Sequence, residues 1–283
     1  MTEAAAMAGD LPAALRHWQA ARQAELAAPD SWLGLIGLIW LAEGENTVGN
    51  SADCTVALPA GPSRLGSLWV DGGEIAWQAA PGAAVAVARG GALHGERWQL
   101  NSDRIGAPSE IVCGSLVLIV IERDGRLAVR LRDRNWSAGQ PLPSLEYYPY
   151  DPAWRIAALW QGLSPPLTMT VPNVSGDLAT VLVAHQALFE LDGVAVTLLP
   201  MAVSDQEAFF VFRDRTSGSA TYGAGRFLKV PLVASGAAVD GEIWLDFNFA
   251  YSPPCAFTPF ATCPLPPPEN WLPFAVAAGE KKP

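Results

Sequence analysis

The stretch SLVLIVIERDGRLAVRLR, residues 115–132, decides how the rest of the chain is read. Its arms, Ser115 to Glu122 and Arg126 to Arg132, flank Asp124-Gly125, a pair suited to the positive-φ positions of a tight hairpin turn. In the second arm Leu127, Val129 and Leu131 fall on one face and Arg126, Arg130 and Arg132 on the other. That period of two describes a strand with one wet face. The first arm is apolar on both faces, which places it more centrally in a sheet.

The same pattern extends outward in both directions. After Gly49, short apolar runs alternate with turns: Thr55 to Leu58, Ser67 to Val70, Glu74 to Trp77, Ala83 to Ala88 and Glu96 to Leu100, with Asp71-Gly72-Gly73 as a second tight turn. Further on come Leu167 to Val171, Leu178 to Ala184, Ala187 to Leu191, Val194 to Leu199, Glu207 to Arg213 and Phe227 to Val233, with Asp192-Gly193 as a third hairpin signal. Asp151 to Gly162 reads as a helical turn or a strand, broken by Pro165-Pro166. These runs rarely alternate with helices of ten or more residues, which disfavours a doubly wound α/β sheet. The reading is a mainly β chain, an antiparallel sandwich or barrel-like sheet, with one N-terminal amphipathic helix.

That helix is expected over 11–27. Asp10 is a cap, Pro12 lies in the first turn, and Leu11, Leu15, Trp18 and Leu26 recur at helical spacing. Arg16, Gln19, Arg22, Gln23 and Glu25 fall elsewhere on its surface, and Pro29 ends it. With no linker and no fixed-period repeat, residues 1–283 read as one composite domain. Within it lie an N-terminal helix region (1–30) and a proline-rich packed loop (251–273).

Composition narrows the function classes. The 28 acidic and 18 basic residues leave a formal charge of -10, and the densest basic stretch, Arg123 to Arg134, is interrupted by Asp124 and Asp133. Nucleic-acid binding is therefore not expected. The most apolar run, Trp32 to Ala42, has eleven residues, against about 20 for a membrane-spanning helix. No positive n-region precedes a hydrophobic run near Met1. A cytoplasmic protein without a membrane partner is the expectation. Cys54, Cys113, Cys255 and Cys263 form no Cys-x-x-Cys pair, and His17, His94 and His185 are the only histidines. No metal site and no cofactor is indicated, and the oligomeric state is not readable.

The C-terminal region carries the candidate site. Along Ile243 to Phe249, alternation sends Leu245, Phe247 and Phe249 to one face and Trp244, Asp246 and Asn248 to the other. Tyr251 to Pro273 then holds eight prolines among Tyr251, Phe257, Phe260, Leu265 and Trp271. So many missing donors exclude a central strand or helix, and the aromatic content points to a stiff loop packed on the domain. Cys255 and Cys263 lie eight apart within it. They are readable as buried thiols, as a disulfide or redox pair, or as a catalytic thiol served by His185 or Asp246. His185 is placed in a turn between two strands. Tyr222-Gly223-Ala224-Gly225-Arg226 reads as a turn, or as backbone amides presented to an anion beside Arg226. Asp214 and Thr216 read as loop-capping and ion-pair residues.

Several segments resemble the uncharacterised DUF1684 family. They are Trp32 to Leu41, Leu131-Arg132-Asp133, Phe212 to Gly218, Thr221 to Leu228 and, most specifically, Leu245-Asp246-Phe247-Asn248-Phe249-Ala250-Tyr251-Ser252-Pro253-Pro254-Cys255-Ala256-Phe257. This last block continues through Ala261-Thr262-Cys263-Pro264-Leu265-Pro266-Pro267-Pro268-Glu269-Asn270 to Ala278-Gly279-Glu280. The resemblance runs from about residue 15 to 281. Where the family form resembles Asn-Pro-Pro-Cys, this chain has Ser252-Pro253-Pro254-Cys255. It implies candidate positions rather than an activity or cofactor.

The functional expectation is a small-molecule-binding β-rich protein with its site near the C-terminal segment. A small polar or anionic ligand would meet Arg226, Trp244, Asp246, Asn248, Tyr251 and Asn270. The alternative is a hydrolase-like enzyme using Cys255 or Cys263 as nucleophile and His185 or Asp246 as base. A third reading is an interaction protein presenting its proline-aromatic face.

Overall fold

The computed structural model describes residues 12–89, 92–174, 176, 178–232 and 240–283. Mainly antiparallel β-structure is observed, in two compact units, residues 27–142 and residues 1–26 with 143–283. No sheet of the described residues closes into a barrel.

Residues 27–142 form eleven strands: β1 (Leu35–Trp40), β2 (Gly44–Gly49), β3 (Val56–Ala57), β4 (Gly66–Asp71), β5 (Glu74–Ala79), β6 (Ala86–Ala88), β7 (Leu93–His94), β8 (Arg97–Leu100), β9 (Glu110–Cys113), β10 (Leu116–Arg123) and β11 (Arg126–Asp133). They make a five-stranded sheet, β1-β11-β10-β9-β6, and a six-stranded sheet, β3-β2-β4-β5-β8-β7. Among the described residues of these two sheets, only the two-residue β2–β3 pairing is parallel. One core takes Val48, Leu68, Ile75 and Trp77 from the second sheet and Ile111, Leu118, Val120 and Val129 from the first, so the sheets face each other as in a sandwich. The hairpin at 115–132 forms as read: Arg123 pairs with Arg126, and Asp124 and Gly125 have φ of 49° and 71°. Strand β10 is central and buried along most of its length. The arginine face of β11 is only partly wet: Arg126 is exposed and Arg132 half-buried, but Arg130 is buried. Arg126 lies 4.2 Å from the Trp40 ring centre and the buried Arg130 lies 5.5 Å from that of Trp32. Guanidinium groups cover indole faces while their stems stay with the apolar surface.

The other unit contains helix α1 (Ala13–Ala27) and strands β12 (Arg155–Pro172), β13 (Leu178–Leu191), β14 (Val194–Leu198), β15 (Ala202–Val203), β16 (Glu207–Phe212), β17 (Arg226–Pro231) and β18 (Gly241–Asp246). It is the only α-helix among the described residues; the Asp10 cap and Leu11 lie outside them, as does Val233 at the end of an expected strand. Leu15 and Leu26 are buried, as the helical spacing requires, but so is Arg22, read from sequence as a surface residue. Sheets β14-β13-β12-β18 and β15-β16-β17 share a core built from Trp160, Phe189, Leu198, Phe210, Phe212, Leu228, Leu245 and Phe247.

Three local readings are corrected. Pro165-Pro166 does not break the chain into two elements: β12 runs through them, and they fall in the register shift between Gly162 and Leu167, where the ladder asks nothing of their nitrogens. His185 lies not in a turn but inside the continuous β13, opposite Gly162. Strand β18 ends at Asp246, whose carboxylate caps a 3-10 turn over Phe247–Phe249. The alternation therefore stops there, and Phe247 and Asn248 are both buried.

The C-terminal residues lock against this unit at Gly279. Its φ is +77°, and a Cβ there would meet the carbonyl oxygen of Ala250 and come within 2.9 Å of that of Phe247. Gly125 also has a positive φ but has open space around it. Gly125→Ala should cost about 1–2 kcal/mol, the left-handed penalty alone, and Gly279→Ala clearly more. Comparison of their urea-denaturation free energies checks the order, and equal losses would refute a packed Gly279.

Candidate functional site

A cavity of about 580 Å³ opens within the unit that holds the C-terminal segment. Outward-facing residues of β18 supply Glu242, Trp244 and Asp246, alternate positions of one strand. Arg155 comes from the neighbouring β12, Glu207 from β16, Lys229 and Pro231 from β17, and Phe249 and Tyr251 from the chain just beyond β18. Helix α1 adds Trp18, whose ring meets those of Phe249 and Tyr251 edge-on at 5.4 and 6.2 Å. The lining is predominantly apolar with a charged rim. The Arg155 guanidinium lies 4.5 Å from the centre of the Trp244 ring. Lys229 Nζ pairs with Glu207 Oε1 at 3.0 Å. Burial, above all, holds the Tyr251 phenol above its ordinary pKa, so it stays a neutral donor.

Of the six residues proposed from sequence to touch a ligand, Trp244, Asp246 and Tyr251 line this cavity. Arg226, Asn248 and Asn270 do not; all three are buried and committed to the protein. Arg226 is completely inaccessible. It donates to Asp214 Oδ2 at 2.8 Å, to the Val276 carbonyl at 2.9 Å and to the Ala278 carbonyl, with a longer contact to that of Glu280. Burial pulls its pKa down while Asp214 pulls it back. Asp214 Oδ1 in turn accepts from the Thr216 amide at 2.7 Å and the Thr216 hydroxyl at 2.5 Å, the capping role read from sequence. Asn248 exchanges hydrogen bonds with the backbone of Asp151 and with Asp246. Asn270 bonds the amide and carbonyl of Leu199 and the carbonyl of Val211, each at 2.8 Å. Between Tyr222 and Gly225 the chain makes a turn closed by a backbone hydrogen bond of 3.1 Å, the turn read from sequence.

The candidate nucleophiles fall elsewhere. The Cys255 amide donates to Cys263 Sγ at 3.3 Å, and neither cysteine is in a disulfide. The Cys263 carbonyl accepts from Val174, just beyond the end of β12 that pairs with Leu178. His185 is seven positions further along β13, about 23 Å at 3.3 Å per residue, and its ring stacks on Trp160 at 5.1 Å. Asp246 spends one oxygen on Asn248. The strand geometry thus holds His185 well away from the cysteines, while Asp246 serves the end of β18. Among the described residues, no group of three or more His, Cys, Asp or Glu is arranged to hold a metal ion.

Sequence reasoning missed Glu242, Arg155, Glu207, Lys229 and the cavity-facing role of Trp18. Glu242 was within reach, since it lies two residues before Trp244 on the same face. The others carried no local signal because cross-strand neighbours are set by register.

The fold and cavity together define a β-rich protein with an aromatic-lined pocket. Residues 141–281 match the family model described as protein of unknown function (DUF1684). The likeness is thus shown over the C-terminal half, and the Trp32 to Leu41 and Leu131 to Asp133 segments lie outside it. A similar solved structure is the solution NMR structure of the uncharacterized protein from gene locus rrnAC0354 of Haloarcula marismortui, 37% identical, covering 49% of this chain and 76% of that chain with a TM-score of 0.41. No curated protein matches the chain.

If Arg226 serves the fold, removing its counter-charge should unfold the protein. Asp214→Asn leaves a buried guanidinium uncompensated and should cost about 3–5 kcal/mol, whereas truncating the half-exposed Trp244 should cost well under half of that. Chemical denaturation of the two variants checks this. An Asp214→Asn loss near zero would return Arg226 to the list of ligand groups.

Proposed function

We propose that this protein binds a small, flat organic ligand in the cavity between Trp18, Trp244, Phe249 and Tyr251. The supporting observation is the cavity itself. Its volume of about 580 Å³ falls within the roughly 300–1,000 Å³ typical of ligand pockets, and its aromatic lining carries a few placed polar groups.

The rim charges favour a neutral or singly cationic ligand. Three carboxylates, Glu207, Glu242 and Asp246, face two cations, Arg155 and Lys229. Both cations are engaged, one over Trp244 and one with Glu207, while Glu242 makes no ion pair among the described residues. An anionic ligand drew its support from Arg226, which is buried and occupied. Aromatic faces beside carboxylates suit a cation attached to a flat apolar body.

Calorimetric titration with tryptamine, indole and indole-3-acetate tests this reading, since the three share a ring and differ in charge. Tryptamine and indole should bind, and indole-3-acetate at least about ten-fold more weakly, a difference of about 1.4 kcal/mol. Trp244→Ala and Trp18→Ala should each weaken tryptamine binding, and Glu242→Gln should narrow its preference over indole-3-acetate. The proposal fails if none of the three probes binds at millimolar concentration, or if binding survives both tryptophan substitutions.

A further inference from the structure

A second chemistry-bearing group lies apart from the cavity lining, where Cys255, Cys263 and Tyr222 meet. The chain positions them through proline. Pro254 opens a 3-10 turn over Pro254–Ala256, and the residue after Cys263, Pro264, bridges to Asn173 beyond β12. The eight-residue separation is thereby folded back until the Cys255 amide donates to Cys263 Sγ at 3.3 Å. The Tyr222 hydroxyl donates to the Cys255 carbonyl at 2.8 Å. Cys255 is half-buried, whereas Cys263 is only 6% exposed and packs with Val211, Phe227 and Ala261. One thiol can therefore be reached by a small reagent, and the other is held beside it but screened.

We propose that Cys255 and Cys263 form a peroxide-reactive dithiol, with Cys255 attacking and Cys263 resolving. The Cys255 thiolate displaces hydroxide from a hydroperoxide oxygen: the O–O bond breaks, an S–O bond forms, and Cys255 becomes a sulfenic acid. Cys263 sulfur then attacks Cys255 sulfur. The S–O bond breaks, the disulfide forms, and the Cys263 proton leaves with the hydroxyl as water. Two thiols and one hydrogen peroxide thus give one disulfide and two waters, with the peroxide as the two-electron oxidant. The surroundings assist the first step. A hydrogen bond from Cys263, joined by that of Tyr222, draws the Cys255 thiol below its ordinary pKa against the opposing effect of burial. Burial first, then the neighbouring Cys255, lifts Tyr222 well above its own usual value, so it remains a donor.

The chain supplies its own controls. Cleavage after Lys and Arg leaves Cys255 and Cys263 together on one peptide, from Val230 to Lys281, while Cys54 and Cys113 fall on separate peptides. The reduced native protein is treated with equimolar hydrogen peroxide and mapped by mass spectrometry. The Val230–Lys281 peptide should lose two hydrogens before the Cys54 or Cys113 peptide changes. In Cys263→Ser, dimedone should trap a sulfenic acid at Cys255; in Cys255→Ser, Cys263 should remain a thiol at the same dose. Tyr222→Phe should slow the wild-type reaction while leaving the folded spectrum unchanged. A Val230–Lys281 peptide that stays reduced while Cys113 oxidises overturns the proposal. So does a folded Cys263→Ser protein that yields no dimedone adduct. The wild-type result stands by itself if a variant fails to fold.

Discussion

The buried pairing of Arg226 with Asp214 is the constraint on which the C-terminal half depends. Two unit charges withdrawn from water cost more than their attraction returns unless the remaining donors and acceptors are also met. Here most of them are. Arg226 spreads its terminal N–H groups over Asp214 and the carbonyls of Val276 and Ala278, and Asp214 collects the amide and hydroxyl of Thr216 and the amide of Val276. The guanidinium thus fastens residues 276–278, which have no ladder partner of their own, onto β17. A second pair continues the arrangement. Arg22 of α1 donates to Glu280 Oε1 at 3.0 Å and to the Ser252 carbonyl at 2.9 Å, while Glu280 Oε2 accepts from the Ser252 amide at 2.8 Å. Burial alone would lower the Arg22 pKa, but Glu280 and Glu25 together hold it above its ordinary value, consistent with a fixed cation.

These two pairs also position the cavity. Arg22 lies one helical turn after Trp18, and Ser252 follows Tyr251 directly. The clamp that ties α1 to Ser252 and Glu280 therefore sets the distance between two walls of the pocket, without any clamp residue touching its interior. Arg22 also lies 4.9 Å from the Tyr251 ring centre, which leaves that ring less freedom to rotate.

What could be read from sequence follows the range of the interactions. The three hairpin turns, Gly72-Gly73, Asp124-Gly125 and Asp192-Gly193, were legible because a two-residue turn is written in its own residues, and each links two adjacent antiparallel strands. The passage of β12 through Pro165-Pro166 was not legible, since only the partner strand reveals that the ladder skips those positions. Likewise Asn270 contacts residues 59 and 71 positions away. An asparagine that welds distant backbones and one that waits for a ligand look alike in sequence. Trp244, Asp246 and Tyr251 were identifiable because strand alternation turns the first two to one face and the third ends the same segment.

The neighbouring residues Asp246 and Asn248 show what separates structural polarity from polarity open to a ligand. Asn248 spends both amide hydrogens on Asp151 and Asp246, its amide oxygen accepts from Asp151, and the side chain is buried away from a guest. Asp246 meets those local demands with Oδ1 alone. Its Oδ2 makes no hydrogen bond among the described residues, and its side chain lines the cavity beside Trp244. One oxygen closes the strand end while the other keeps its acceptor capacity. A carboxylate can divide its duties in this way because each oxygen offers separate lone pairs, whereas the fully enclosed Arg226 faces no solvent from which a ligand could approach. Accessible, unspent bonding capacity, rather than the mere presence of a polar side chain, therefore separates Asp246 from its buried neighbours at the outer face of β18.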